Sequence, residues 1–195
     1  MTIVGGLDGN IIEVPEGFME RFDGVIHIEG VGNKLNIGPP GSLNSFVFGL
    51  KDGAEIRIGG GLWAHSLTVH ASSLGARIDI GENVSINGSL SVTTHEAASI
   101  SIGSRCLIAS GCDISASDFH HVLDAQTGER INPARNVFIG EHVWLGSRVT
   151  IMKGARIGKD SVVGTGSIVT GEYADGCLLV GAPARIVRDG ITWRF

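Results

Sequence analysis

From residue 139 to 174 an aliphatic side chain falls at every sixth position: Ile139, Leu145, Ile151, Ile157, Val163 and Val169. Four positions after each one the residue is mostly small or β-branched, as at Val143, Val149, Ala155, Ser161 and Ser167, with Tyr173 as the exception. A period of six matches neither the 3.6-residue repeat of a helix nor the plain alternation of a strand. It matches a chain that runs extended for a few residues, turns, and points one large side chain inward per segment. Three such segments close a triangular turn of about 18 residues, and stacked turns form a parallel β-helix.

Upstream, an Ile-Gly pair marks the same position of successive turns at Ile37, Ile58, Ile80, Ile102, Ile139 and Ile157, with gaps of 21, 22, 22, 37 and 18 residues. The early gaps predict turns swollen by a few residues at corners such as Gly59–Gly61 and Ser72–Ser73. The gap of 37 predicts an ordinary turn plus an inserted loop over 118–136, where DFHHVLDAQTGERINPARN shows no hexad. A loop that long inside a compact domain is usually functional or disordered, and its adjacent histidines favour function. Residues 1–35 lack the repeat and contain short strand-like runs at 11–14 and 25–29, broken by Pro15, Gly17 and Gly24. They are expected to cap the open end of the stack, whose unpaired backbone groups need a cover. Residues 36–175 are then the β-helix, and 176–195 a tail that folds back over the last turn, all within one domain spanning 1–195.

Composition agrees with this picture. Apolar residues make up 43% of the chain, aromatics only 6%, and there are 30 glycines. A narrow prism takes Ile, Val and Leu, and its corners are expected to use the positive φ that glycine allows. Each inward aliphatic contributes roughly 1.5–3 kcal/mol when fully buried. The formal charge of −5 is uneven: residues 1–100 hold five Lys/Arg against eleven Asp/Glu, and 101–195 hold ten against nine. Neither half is basic enough for a nucleic-acid surface. No basic-then-apolar leader is visible at the N-terminus, and no apolar run approaches the roughly 20 residues that cross a bilayer. Cys106 and Cys112 fall in the small, inward fifth slot, which reads as packing. A cytoplasmic protein with no membrane insertion is expected.

Several stretches carry a more specific likeness: SDFH at 117–120, TGERINPA at 127–134, IGEHVWLG at 139–146, VVGTGSIVT at 162–170 and VGAPARIVR at 180–188. Together they resemble the hexapeptide-repeat acyltransferases, and most of all the branch that O-acetylates bacterial cell-surface and exopolysaccharide sugars. The resemblance runs over roughly residues 80–190. It implies an all-β, left-handed parallel β-helix, a homotrimer, acetyl-CoA as acyl donor, a saccharide acceptor, no required metal, and active sites in grooves between subunits. Periodicity alone gives neither the hand nor the trimer.

Transfer from a thioester to an alcohol needs a base, and imidazole titrates near neutrality; such help is typically worth about 10²–10⁴ in rate. In the resembled family the base follows an Asp by two positions. His120 follows Asp118 by two and precedes Trp144 by 24. The related maltose and galactoside acetyltransferases have Pro after this histidine; here His121 stands there, so His121 as base and a purely structural pair are alternatives. Asp118, Asp124 or a loop carbonyl would orient the imidazole. Asn87, in SINGSL, resembles an asparagine that holds the acceptor, or is a corner residue. Trp144 matches the aromatic beside the pantetheine groove, or is a packing residue. Gly146, Ser147, Thr165 and Thr170 fall where family members contact the pantetheine arm and adenine, with a backbone N–H near 145–147 as a candidate oxyanion donor. Arg185 and Arg188 match phosphate-contacting positions, suited to a guanidinium's planar fork, or are solvated tail charges.

Other readings of the same scaffold are a sugar N-acetyltransferase, a non-catalytic scaffold, and a zinc enzyme like the gamma-class carbonic anhydrases. The last would use His65 and His70, five apart, with His27 or His95. Zinc needs three aimed ligands and an open position.

Overall fold

A computed structural model describes residues 1–194 as a left-handed parallel β-helix. The chain winds through three faces, and each aliphatic column of the sequence becomes one inward ladder. On the first face Ile86, Ile108, Leu145, Val163 and Leu179 stack in register. On the second, Phe48, Val69, Val92, Ile114, Ile151 and Val169 do so. The third carries Ile37, Ile58, Ile80, Ile102, Ile139, Ile157 and Tyr173. Apart from Tyr173, which packs partly buried at the end of its column, all of these are buried.

The Ile-Gly pair turns the chain from the third face to the first, and its glycine serves close approach, not positive φ. A Cβ on Gly103 or Gly140 would sit 2.5 Å from the next coil's Glu141 or Lys159 amide nitrogen. The left-handed position comes two residues later and is mostly not glycine: Asn83, Arg105, His142 and Asp160 have φ between 55° and 60°. Such a conformation costs roughly 1–2 kcal/mol per residue. A coil-to-coil bond offsets it at each step, since Arg105 N donates to Glu82 O, His142 N to Ser104 O and Asp160 N to Glu141 O at 2.8–3.1 Å.

The extra residues of the early turns enter at a different corner, between the second and third faces. Val92 to Ile102 takes ten residues where Ile151 to Ile157 takes six, whereas Ile58 to Ala64 keeps the ordinary six through Gly59–Gly61. The expected swelling at Ser72–Ser73 is therefore correctly placed and the one at Gly59–Gly61 is not. The inserted loop leaves from this same second corner, between the strands Cys112–Ser115 and Val137–Ile139.

Residues 1–35 are not a separate cover. Thr2–Gly5 pairs in parallel with Gly24–Glu29, and Ile11–Glu13 with Lys34–Ile37, so they extend the second and third faces by further rungs. The end is plugged instead by a short helix, Phe18–Arg21, that interrupts this first coil. Its buried Phe18 lies 5.1 Å from Phe22 and 5.6 Å from Phe46, which stacks on Phe48 at 4.8 Å. Four of the chain's few aromatics thus gather where the prism would otherwise be open. At the other end Ala184–Arg188 folds back antiparallel on Leu178–Gly181. No helix among the described residues is long and apolar enough to cross a membrane.

The close approach at the Ile-Gly corner makes a direct prediction. Gly140→Ala must push two coils apart and is expected to lower unfolding free energy by about 1–3 kcal/mol. Gly6→Ala, with nothing within 4 Å of its added carbon, should leave the urea midpoint unchanged.

Candidate active site

The loop at 118–136 is built on polar anchors inside a scaffold with few others. Ser117, at its base, donates to Glu96 Oε1 at 2.6 Å. Arg130 reaches the same carboxylate with both ends of its guanidinium, at 2.5 and 2.8 Å. A bidentate pair of this kind fixes direction as well as distance. The guanidinium and the Ser117 hydroxyl hold the Glu96 carboxyl down at about 2. Asn132 is buried and ties the 118–122 stretch of the loop to its returning half. Its Oδ1 accepts Val122 N at 2.7 Å, and its Nδ2 donates to Asp118 Oδ2 at 2.9 Å and to the His120 carbonyl at 2.8 Å. Lys153, on the next coil, donates to Asp118 and to the Asn132 carbonyl. Phe119, with φ of 65°, lies against the His95 ring at 4.4 Å.

These contacts pin the His120 backbone from both sides, its N–H on the Asp118 carbonyl at 2.7 Å and its carbonyl on Asn132. The imidazole itself, like that of His121, stays exposed at the edge between the second and third faces. Asp118 is bound to Lys153 and Asn132, which hold its carboxyl below the usual range. Asp124 accepts Gln126 N and Thr127 N and closes a turn. Neither expected aspartate is paired with the His120 ring; both serve the loop's shape instead.

Most of the expected donor positions lie elsewhere. Trp144 points outward on the first face, in line with Leu107 and Val162. Trp193 from the tail lies 6.0 Å from it, stacks on His142 at 4.3 Å, and donates its indole N–H to the His142 carbonyl. Gly146 comes so close to the next coil that a Cβ there would meet Thr165 N at 2.7 Å. Its own N–H is committed to Val163 O, which removes it as an oxyanion donor. Ser147 and Thr165 follow at the corner between the first and second faces, with Gly166 N donating to Ser147 O. Asn87 belongs to the same side of the prism, beside Ala109 at the end of the first face. Arg185 and Arg188 lie exposed on the returning strand that extends this face. Thr170 does not join them: it follows Val169 at the loop's corner, on the far edge of the second face.

Within one chain, then, His120 and the Ser147–Thr165 corner sit on opposite edges of the second face, with Trp144 beyond that corner on the first. The histidines of the zinc alternative are split in the same way. His65, beside Asn44 at 3.2 Å, is at the first edge, while His70 lies over Gly49 near the other. Among the described residues no group of three His, Cys, Asp or Glu is placed to hold a metal ion. The cysteines are buried and free, and burial raises Cys106 to about 11, consistent with packing.

Reasoning from sequence missed Glu96, Arg130, Asn132 and Lys153. Arg130 and Asn132 stand inside TGERINPA, whose likeness was visible without a role for either. Nothing in the sequence pointed to Glu96 or Lys153, because their partners lie 34 and 35 residues away.

Comparison with known proteins agrees with this architecture. The family described as bacterial transferase hexapeptide (six repeats) matches residues 136–171. A polysialic acid O-acetyltransferase from Escherichia coli O1:K1 / APEC is 38% identical over 119 residues, which is 61% of this chain and 38% of that protein. The chain therefore spans well under half of that relative's length. A putative lipopolysaccharide biosynthesis O-acetyl transferase from Escherichia coli K12, WbbJ, is 32% identical over 134 residues, covering 60% of this chain and 67% of its own. The crystal structure of the polysialic acid O-acetyltransferase OatWY superposes with a TM-score of 0.79 at 25% identity, over all of this chain and 90% of that one. With the six-residue ladder, the inserted loop and a likeness that reaches across two thirds of a relative, this chain belongs to the hexapeptide-repeat acyltransferase family.

Proposed function

We propose that the protein is an acetyl-CoA-dependent O-acetyltransferase acting on a hydroxyl of a saccharide, with His120 as general base. The observation that carries this is the loop itself. Glu96, Arg130, Asn132 and Lys153 hold the backbone around His120 rigid while its ring is left open to a substrate. The likeness to a polysialic acid O-acetyltransferase and to a putative lipopolysaccharide biosynthesis O-acetyl transferase supports a sugar acceptor.

In this reading the imidazole takes the acceptor's proton as its oxygen attacks the thioester carbonyl. The carbon–sulfur bond then breaks, and the imidazolium returns the proton to the leaving thiolate. Trp144 flanks the pantetheine arm, Ser147 and Thr165 bind it along the corner, and Arg185 and Arg188 meet the phosphates. Thr170, on the loop's own edge, would touch donor bound along a neighbouring copy. Asn87 holds the acceptor. Asp118 acts through the loop by anchoring it to Lys153.

The separation of His120 from the donor column supports a site shared between copies. The second face is about five extended residues wide, roughly 17 Å at 3.3 Å per residue. No single imidazole bridges that span, whereas a homotrimer would set the loop of one subunit against the first face of the next. Such an enzyme would work in the cytoplasm, where acetyl-CoA is made.

Release of free thiol from acetyl-CoA, screened against nucleotide sugars and oligosaccharides, tests the proposal. His120→Ala should cut acetyl transfer by two or more orders of magnitude while CoA binding by calorimetry and oligomer mass are retained; near-normal turnover would remove the base. Arg185→Ala should raise the apparent KM for acetyl-CoA several-fold with little change in kcat, and an unchanged KM would return that arginine to the solvent. The loop anchor makes a pH prediction. Because the folded Glu96 carboxyl lies at about 2, below its ordinary 4.5, its stabilising contribution is complete above that ordinary value and is lost as pH falls toward 2. Hydrogen exchange across 117–132 should accelerate through this window in the wild type. Glu96→Gln should exchange fast already at neutral pH and show no such acid step.

A further inference from the structure

An indole stands open on the first face. Trp63 is 60% exposed, more than Trp144 at 39%. It belongs to the same outward column, which runs Ser42, Trp63, Ser85, Leu107, Trp144 in register. The two tryptophans are thus three rungs apart, about 14 Å along the axis at roughly 4.8 Å per rung. The neighbours in line are small, since Ser42 and Ser85 flank the indole. Gly41 lies beneath it, where any Cβ would collide with the ring. The ring is therefore seated on backbone, with its outer face unobstructed.

A cleft opens on each side of it. One is lined by Ser42, Asn44, His65 and Asn87, the residue expected to hold the acceptor. The other is lined by Asn83, Ser85, Arg105 and His142 and leads toward Trp144. Within the first cleft the polar groups are already ordered. Ser42 Oγ donates to Asn44 Oδ1 at 3.3 Å, and Asn44 Nδ2 meets His65 Nδ1 at 3.2 Å. With the amide donating, the imidazole carries its proton on Nε2, a donor directed away from the amide.

A flat apolar plate rimmed by amide, hydroxyl, imidazole and guanidinium groups is the complement of a pyranose. One face of that ring presents C–H groups and its edge presents hydroxyls. A large aromatic gives stacking area at little conformational cost, while a few placed polar groups set orientation. We infer that Trp63 is the platform of an acceptor subsite, binding a pyranose of an oligosaccharide that runs about three units along the column to the acetyl-transfer site beside Trp144. The inference rests on the proposed O-acetyltransferase activity and adds to it the surface that holds the acceptor. It also assigns the two ends of one column separate duties, acceptor at the N-terminal coils and donor from Trp144 onward. A chain of sugars lying along the axis would meet a rung about every 4.8 Å.

The test uses the full-length protein with acetyl-CoA and two defined acceptors, an oligosialic acid and a maltooligosaccharide, following thiol release. For the acceptor that the wild type uses, Trp63→Ala should raise acceptor KM at least tenfold, with kcat and the KM for acetyl-CoA within about twofold. Trp63→Phe, which keeps a flat ring, should recover most of the loss. Three outcomes overturn the platform: an unchanged acceptor KM, an acetyl-CoA KM that rises in step, or a smaller oligomer by light scattering, which would make the indole packing between copies. A wild type that acetylates neither these nor any sugar of the wider panel would remove the proposed function, and the platform with it. An active wild type whose Trp63→Ala variant is unaffected removes the platform alone.

Discussion

Everything in this prism depends on how closely one coil can lie on the next at the Ile-Gly corner. There the backbone of each turn passes so near its neighbour that no Cβ fits, at Gly81, Gly103, Gly140 and Gly158 alike. The glycines let the corner keep the rung spacing that the strands' hydrogen bonds set, and that spacing puts Ile80, Ile102, Ile139 and Ile157 directly above one another. A glycine here is required by space. Two residues on, where φ is positive, the chain tolerates Asn, Arg, His and Asp because a coil-to-coil bond accompanies each one. The usual assignment of glycine to positive φ is thus inverted at this corner.

A stack fixed at one corner must absorb irregularity at another. The extra residues of the early turns and the whole loop emerge between the second and third faces, where 93–98, 70–76 and 49–54 already bulge. The loop therefore does not leave a smooth prism; it rests on the swollen turn beneath it. Glu96 sits in that turn and His95 packs at a tilt against Phe119. The two ion pairs that brace the loop, Glu96 with Arg130 and Asp118 with Lys153, attach it to the coil below and the coil above. A flexible insertion becomes a fixed arm because both flanking coils hold it.

What could be read from the chain divides along the same line. The hexads from Ile139 to Val169 announce their ladders because the spacing that makes them is local and repeated. Thr2–Gly5 escaped notice, and the strand at 11–14 was read as part of a cap and not as a rung, because a first rung has a neighbour on one side only and a helix with Phe18 breaks its period. His120 could be singled out through the family resemblance, by its intervals to Asp118 and Trp144, but its supports could not. Glu96 and Lys153 are ordinary corner residues until the fold brings the loop between them. The orienting aspartate was the reverse case: Asp118 stood at the expected interval, yet a lysine on the next coil claims its carboxylate.

The parts of the candidate site obey a geometric rule that a lone prism cannot escape. Side chains on a three-sided solenoid point away from each other across its axis, so residues on different edges diverge however close they are in sequence. Trp144 and His120 are 24 residues apart and lie across a full face. In the proposed enzyme, a base on one edge would meet a thioester along another only if a second prism turned its first face toward the first prism's loop. Cyclic association does this with one interface repeated, and three such grooves would close a ring with no unsatisfied edge. In the proposed trimer the braced arm would cross the gap between copies to reach the first face beside Trp144.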